Sequence, residues 1–110
     1  MTVDLTRSAP ARFAASDAVP NRMQPGEMYP ERMHPDGPVV GYVYACVGCN
    51  QLSGLGLAGR IGEGARWTVV SGDAGRPSSL TLAPSILHDP SRGGCGWHGW
   101  LRDGVFVPIG

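Results

Sequence analysis

A chain of 110 residues has room for one small domain, and its 17 Gly and 10 Pro, set against three Trp, three Tyr and two Phe, leave it a thin apolar core. Nine basic residues balance nine acids, for a formal net charge of +0, and all nine are arginine. That balance excludes lysine-nucleophile and Schiff-base chemistry and removes the basic stripe expected of a protein that lives on phosphate backbones.

The first 38 residues stand apart. They hold Pro10, Pro20, Pro25, Pro30, Pro35 and Pro38, and no helical or strand-like apolar period runs through them. Within them Pro20, Pro25, Pro30 and Pro35 keep a five-residue repeat, with Met23, Met28 and Met33 three positions behind the first three. Proline at this density forbids a long helix or a central strand. The expectation is an extended, irregular N-terminal arm over residues 1–38, able to span ~100 Å at ~3.1 Å per residue. Its methionines, with Pro20, Pro25 and Pro30, are candidate contacts to neighbouring subunits, because a thioether adapts to irregular apolar pockets.

From residue 39 the text turns β-like. Val39 to Ala45 is rich in β-branched and aromatic residues and reads as a strand. Asn50 to Gly64 is glycine-rich, a loop with one short strand at most. Trp67 to Val70 reads as a strand closed by the Ser71–Gly75 turn cluster, and Ser79 to Leu82 alternates as a half-buried strand until Pro84 ends it. Trp97 to Leu101 and Val105 to Val107 flank Asp103-Gly104, a two-residue hairpin signal. The fold class is therefore mostly β: a small antiparallel domain over residues 39–110, carrying the arm, and similar to zinc ribbons in the spacing of its Cys46/Cys49 and Cys95/His98 pairs.

All three cysteines fall in two short knuckles, Cys46-Val47-Gly48-Cys49 and Cys95-Gly96-Trp97-His98. Two x-x spaced pairs from distant sequence are what a tetrahedral Zn²⁺ takes, so Cys46, Cys49, Cys95 and His98 are the expected ligands. Three cysteines cannot all pair as disulfides, and no segment resembles a secretory signal or a membrane span. A zinc ion, whose binding contributes on the order of 10 kcal/mol in small zinc domains, would supply stability that the core lacks.

Catalytic readings find less support in the residue pattern. Glu63 is the one glutamate after residue 38, but a nucleobase deaminase needs His-x-Glu ahead of Pro-Cys-x-x-Cys, which does not occur. Ser85, His88 and Asp89 hint at an acyl-transfer triad, yet adjacent residues on extended chain face opposite ways, so His88 and Asp89 do not orient one another. Ser85 reads as a turn or edge hydrogen-bonder. Tyr42, Tyr44, Trp97, Trp100, Arg92 and Arg102 could stack on single-stranded nucleic acid, the alternative binding function, although residues 39–110 carry only five arginines against four acids.

The order of features, a Cys-x-x-Cys knuckle, a Trp-initiated strand, Leu82-Ala83-Pro84-Ser85-Ile86, then Cys-x-x-His and an aromatic hairpin, resembles an uncharacterised family of small bacterial and phage proteins. The resemblance covers Tyr42 to Val107, with Gly99 where a bulkier residue is commoner, and it implies a zinc-binding β domain and no activity. With the arm, it leads to the expectation of a non-enzymatic assembly protein, a minor or accessory phage virion component located in the virion or host cytoplasm. On that reading the partners are protein subunits met through residues 1–38, with no membrane and no small-molecule substrate.

Overall fold

Most of the β-like text becomes strand where its alternation and turn residues place it. The computed structural model describes residues 3–14, 23–59, 62 and 64–109. Ten strands follow in order: β1 (Ala9–Pro10), β2 (Arg12–Phe13), β3 (Glu27–Arg32), β4 (Val39–Ala45), β5 (Leu52–Gly56), β6 (Thr68–Asp73), β7 (Arg76–Ala83), β8 (Ile86–Leu87), β9 (His98–Arg102) and β10 (Val105–Pro108). Among the described residues a 3₁₀ turn, Pro90–Arg92, interrupts them. One sheet has the order β1-β10-β9-β8, a second β2-β3-β4-β5, and β6 and β7 form a separate hairpin. The mostly β, largely antiparallel class expected from the sequence is what the chain adopts. It is two sheets and a hairpin rather than a ribbon of two knuckle-capped hairpins.

The β9–β10 hairpin shows why local chemistry sufficed there. Arg102 pairs with Val105, leaving Asp103 (φ 48°) and Gly104 (φ 76°) as a two-residue loop with both backbones left-handed. Asp and Gly adopt that conformation at little cost, and its twist matches that of the flanking strands.

Between the sheets lies a small aromatic core. Trp97, Tyr42, Tyr44 and Phe106 are fully buried with Leu80, Leu82, Ile86 and Leu101. Tyr44 stacks on Phe106 at 5.7 Å between ring centres, and Trp97 meets Phe106 edge-on at 6.3 Å. Each polar tip is satisfied: Tyr42 Oη donates to Ala74 O at 2.6 Å, and Trp97 Nε1 to Arg7 O at 3.0 Å. Gly99 has its reason here. A Cβ at that position would stand 2.2 Å from Val107 O and 2.5 Å from the Trp97 ring, so the bulkier residue of the resembling family has no room.

The described residues of the N-terminal segment do not reach away from this core. Ala9–Pro10 pairs with β10, Arg12–Phe13 runs parallel to β3, and β3 pairs along β4 from Met28↔Tyr44 to Arg32↔Val39. Asp4 N donates to Gly48 O at 2.8 Å, laying residues 4–7 over the Cys46–Cys49 turn. Met23 and Met28, expected to dock on a partner, are 2% and 0% exposed, filling the chain's own core, while Met33 is exposed. Pro25 is half-buried in the turn before β3, and Pro20 lies outside the described residues. The prolines are tolerated because of where they fall: Pro10 is on the edge strand β1, and Pro30 pairs with Tyr42 beyond the end of β2, so neither owes an amide to a second neighbour.

Phe106 touches both aromatic partners at the centre of this core. Phe106→Ala is expected to cost about 3–5 kcal/mol, enough in a core this thin to shift the urea midpoint sharply. Equilibrium denaturation followed by tryptophan fluorescence measures it.

Candidate metal centre and serine–histidine pair

Two side-chain clusters sit on opposite faces of one strand pair, β8–β9. Ile86 pairs with Gly99 and Leu87 with His98, and His88 N donates to Trp97 O at 2.9 Å, extending the ladder by one step. Side chains alternate across a strand, so Ile86, His88, Trp97 and Gly99 share one face and Ser85, Leu87, His98 and Trp100 the other. Burial follows the same parity: Ile86, Trp97 and Gly99 are buried, whereas Leu87 and His98 are exposed.

On the inner face, Cys46, Cys49, His88 and Cys95 bring their ligand atoms within 4.8 Å of one another. Cys46 Sγ lies 3.7 Å from Cys95 Sγ, and Cys49 Sγ 3.5 Å from His88 Nδ1. Cys46 and Cys49 come from the turn that leaves β4, closed by Asn50 N donating to Cys46 O at 2.8 Å. His88 directly follows β8, and Cys95 arrives through the Pro90–Arg92 turn. That turn is fixed by Asp89, whose Oδ1 accepts from Ser91 N at 2.9 Å and Ser91 Oγ at 2.8 Å. A Cβ on Gly48 would come 2.8 Å from Trp97 Cβ and 3.0 Å from Cys95 Sγ, so the first knuckle needs glycine to close over the second.

Burial pushes the Cys46 thiol up to about 12, with the neighbouring Cys95 and Cys49 sulfurs adding to the rise. Burial pushes His88 down, favouring its neutral, ligating form. Three soft sulfurs and a neutral imidazole converging on one point could hold a metal ion.

The fourth member of this cluster corrects the sequence expectation. His98 is not turned toward the thiols; its Nε2 lies 2.8 Å from Ser85 Oγ on the outer face. Trp97 is the reason. It fills the core from the position between Cys95 and His98, and alternation then sends His98 outward. His88 was passed over because it stands seven residues before Cys95, a separation that only the Pro90–Arg92 turn closes. The signal was present: if Trp97 is core, its neighbour in a strand faces solvent.

On the outer face, Ser85 follows the Ala83–Pro84 bond in the turn between β7 and β8, and its carbonyl accepts from Trp67 Nε1 at 3.2 Å. His98 is held by the ladder on both sides, with Ile109 N donating to its carbonyl at 2.9 Å. Asp89 is committed to Ser91, which also holds its carboxyl below the usual range, and His88 faces the sulfurs. The expectation that His88 and Asp89 do not orient one another agrees with this, but the reading of Ser85 as a mere turn residue missed its partner. Among the described residues no carboxylate is hydrogen-bonded to His98. Glu63, the residue considered for a deaminase, lies outside them.

Metal content separates the two histidines. His88→Ala is expected to lose most of the bound metal, and His98→Ala to retain it at one ion per chain, measured by elemental analysis after gel filtration. Because the metal-free Cys46 thiol holds its proton and an ion must displace it, affinity should rise from pH 6 to pH 8, as chelator competition at the two values would read.

A family model described as the bacterial ubiquitination-like system serine protease (BubE) matches residues 15–109. No curated protein and no solved structure matches the chain. The match overturns the expectation of a non-enzymatic structural protein, whether a phage virion component or a zinc-ribbon nucleic-acid binder, because the family is one of proteases within a protein-modifying system. It begins inside the segment that the sequence reading set apart as an arm. No helix of the described residues is long and apolar enough to cross a membrane. With nearly the whole sequence matched, the chain belongs to the BubE family of bacterial ubiquitination-like system serine proteases.

Proposed function

We propose that this chain hydrolyses an amide bond in a protein substrate, with Ser85 as nucleophile and His98 as its general base. The observation that carries the reading is the 2.8 Å contact between Ser85 Oγ and His98 Nε2 on an exposed face. A serine hydroxyl is a weak nucleophile until a base within hydrogen-bond reach takes its proton. His98 Nε2 accepts that proton as Ser85 Oγ bonds to the substrate carbonyl carbon. The histidine then gives the proton to the departing amine as the C–N bond breaks, leaving an acyl ester on Ser85. Water, deprotonated by the same nitrogen, releases the acid and returns the serine. Among the described residues His98 is held by the backbone ladder and by no carboxylate, and the serine–histidine pair carries the proton transfers.

The inner cluster serves this site as a structural staple. Its donor set suits Zn²⁺: bonds of ~2.3 Å to sulfur and ~2.0 Å to nitrogen at tetrahedral angles put sulfurs ~3.8 Å apart and sulfur and nitrogen ~3.5 Å apart. The chain holds the corresponding atoms at 3.7 Å and 3.5 Å. Cys46, Cys49, His88 and Cys95 would hold the ion; when bound it supplies cross-linking of the β4 turn to the strand pair that bears Ser85 and His98. Four protein donors leave no position for substrate, so no step of the hydrolysis runs through it. Protein partners follow from the system to which the family belongs.

Ser85→Ala and His98→Ala should each lower kcat by ~10³-fold or more on a protein substrate while leaving circular dichroism and metal content unchanged. Cys49→Ser should instead lower the thermal midpoint. Retained turnover in Ser85→Ala would overturn the assignment.

A further inference from the structure

Trp67, whose indole N–H donates to Ser85 O, stands on the wall of a groove between two strand edges that are unpaired among the described residues. β5 closes one end of its sheet and β8 one end of the other, and both border a groove of about 550 Å³ with Trp67 and Asp89 on its walls. The ladder determines which backbone groups face into it. Leu57 N donates to Val40 O and Cys46 N to Gln51 O, so the odd-numbered residues of β5 bond to β4. Leu52, Gly54 and Gly56 therefore turn their amides and carbonyls the other way. Gly56 O is taken by Trp67 N at 2.8 Å, which ends the open edge, while Leu52 and Gly54 remain beside the groove. On β8, His88 bonds to Trp97, so the backbone of Leu87 points away from β9.

Leu52 and Leu87 are 40% and 47% exposed, apolar shoulders on either wall. A Cβ on Gly54 would meet nothing within 4 Å, so that wall is open. Ser85 and His98 stand just outside the lining, but Trp67 on the wall donates from Nε1 to Ser85 O at 3.2 Å and Leu87 shares its strand face with both, so the Trp67–Leu87 end of the groove abuts the pair.

Resting on the reading of Ser85 and His98 above, we propose that this groove binds the substrate as an extended polypeptide segment, read through its main chain along the free edge of β5. An exposed strand edge offers alternating donors and acceptors that a strand satisfies in register, whatever its side chains. The groove admits a few residues of extended chain and not a folded domain, and the bond from its wall residue Trp67 to Ser85 makes the occupant a substrate strand rather than a second copy of this protein.

The test uses Gly54→Pro, which removes one outward amide and no bond to β4, with Gly54→Ala as the variant that keeps the amide. The probes are a proteome-derived peptide library, with cleavage read by mass spectrometry, and p-nitrophenyl acetate, too small to need the groove. Gly54→Pro should lower library cleavage about tenfold or more, Gly54→Ala should change it little, and both should hydrolyse the ester at the wild-type rate. If Gly54→Pro does not fold, amide exchange in Ser85→Ala replaces it: the Leu52 and Gly54 amides should gain protection when the best-cleaved library peptide is added. Library cleavage by Gly54→Pro at the wild-type rate, no library peptide cleaved by the wild type, no gain in protection, or wild-type dimers abolished by Gly54→Pro in sedimentation would each overturn the proposal. Loss of ester hydrolysis in Ser85→Ala tests the nucleophile separately.

Discussion

The rest of the structure depends on the short antiparallel pairing of β8 with β9. One strand face carries His88 into the thiol cluster and Trp97 into the core; the other presents His98 to Ser85. A shift of one residue would exchange the faces, sending Trp97 into water and His98 among the sulfurs. Trp97 fixes the choice, since its ring is fully buried, its indole N–H reaches Arg7 O, and Gly99 clears space beneath it.

A two-residue strand does not hold itself. Its stability comes from the elements packed behind it, and here these are an aromatic cluster and four converging Cys and His side chains that could hold a metal ion, rather than a broad apolar layer. A metal held there would join the turn after β4 to the end of β8 and the start of β9, the places where the exposed pair needs rigidity. That division, a buried cluster behind the strand pair and an exposed serine–histidine pair in front of it, is how a chain with so many glycines sets Ser85 and His98 within a hydrogen bond of one another.

Much of the fold was legible. Val39–Ala45, the Asp103-Gly104 hairpin and the strand stopped by Pro84 follow from β-branched content and turn chemistry, which act locally. The three cysteines were legible as one cluster because soft ligands in short spacing have few other uses. What local reasoning missed was long-range. Ala9–Pro10, Arg12–Phe13 and Glu27–Arg32 become strands only because β10 and β4 offer edges to pair with, and a proline repeat gives no hint of that. His98 was misplaced because Cys-x-x-His spacing was weighed without the parity that Trp97 imposes. Ser85 and His98 are thirteen residues apart, and neither looks catalytic until the β8–β9 register brings them together.

The central claim, that the register of β8 and β9 makes Ser85 a nucleophile activated by His98, is tested most directly by covalent capture. A fluorophosphonate reacts with an activated serine and spares ordinary hydroxyls. Incubation of the intact, metal-loaded protein followed by peptide mass spectrometry should find a single adduct on Ser85, absent when His98 is replaced by alanine. An unmodified Ser85, or labelling that persists without His98, would contradict the account.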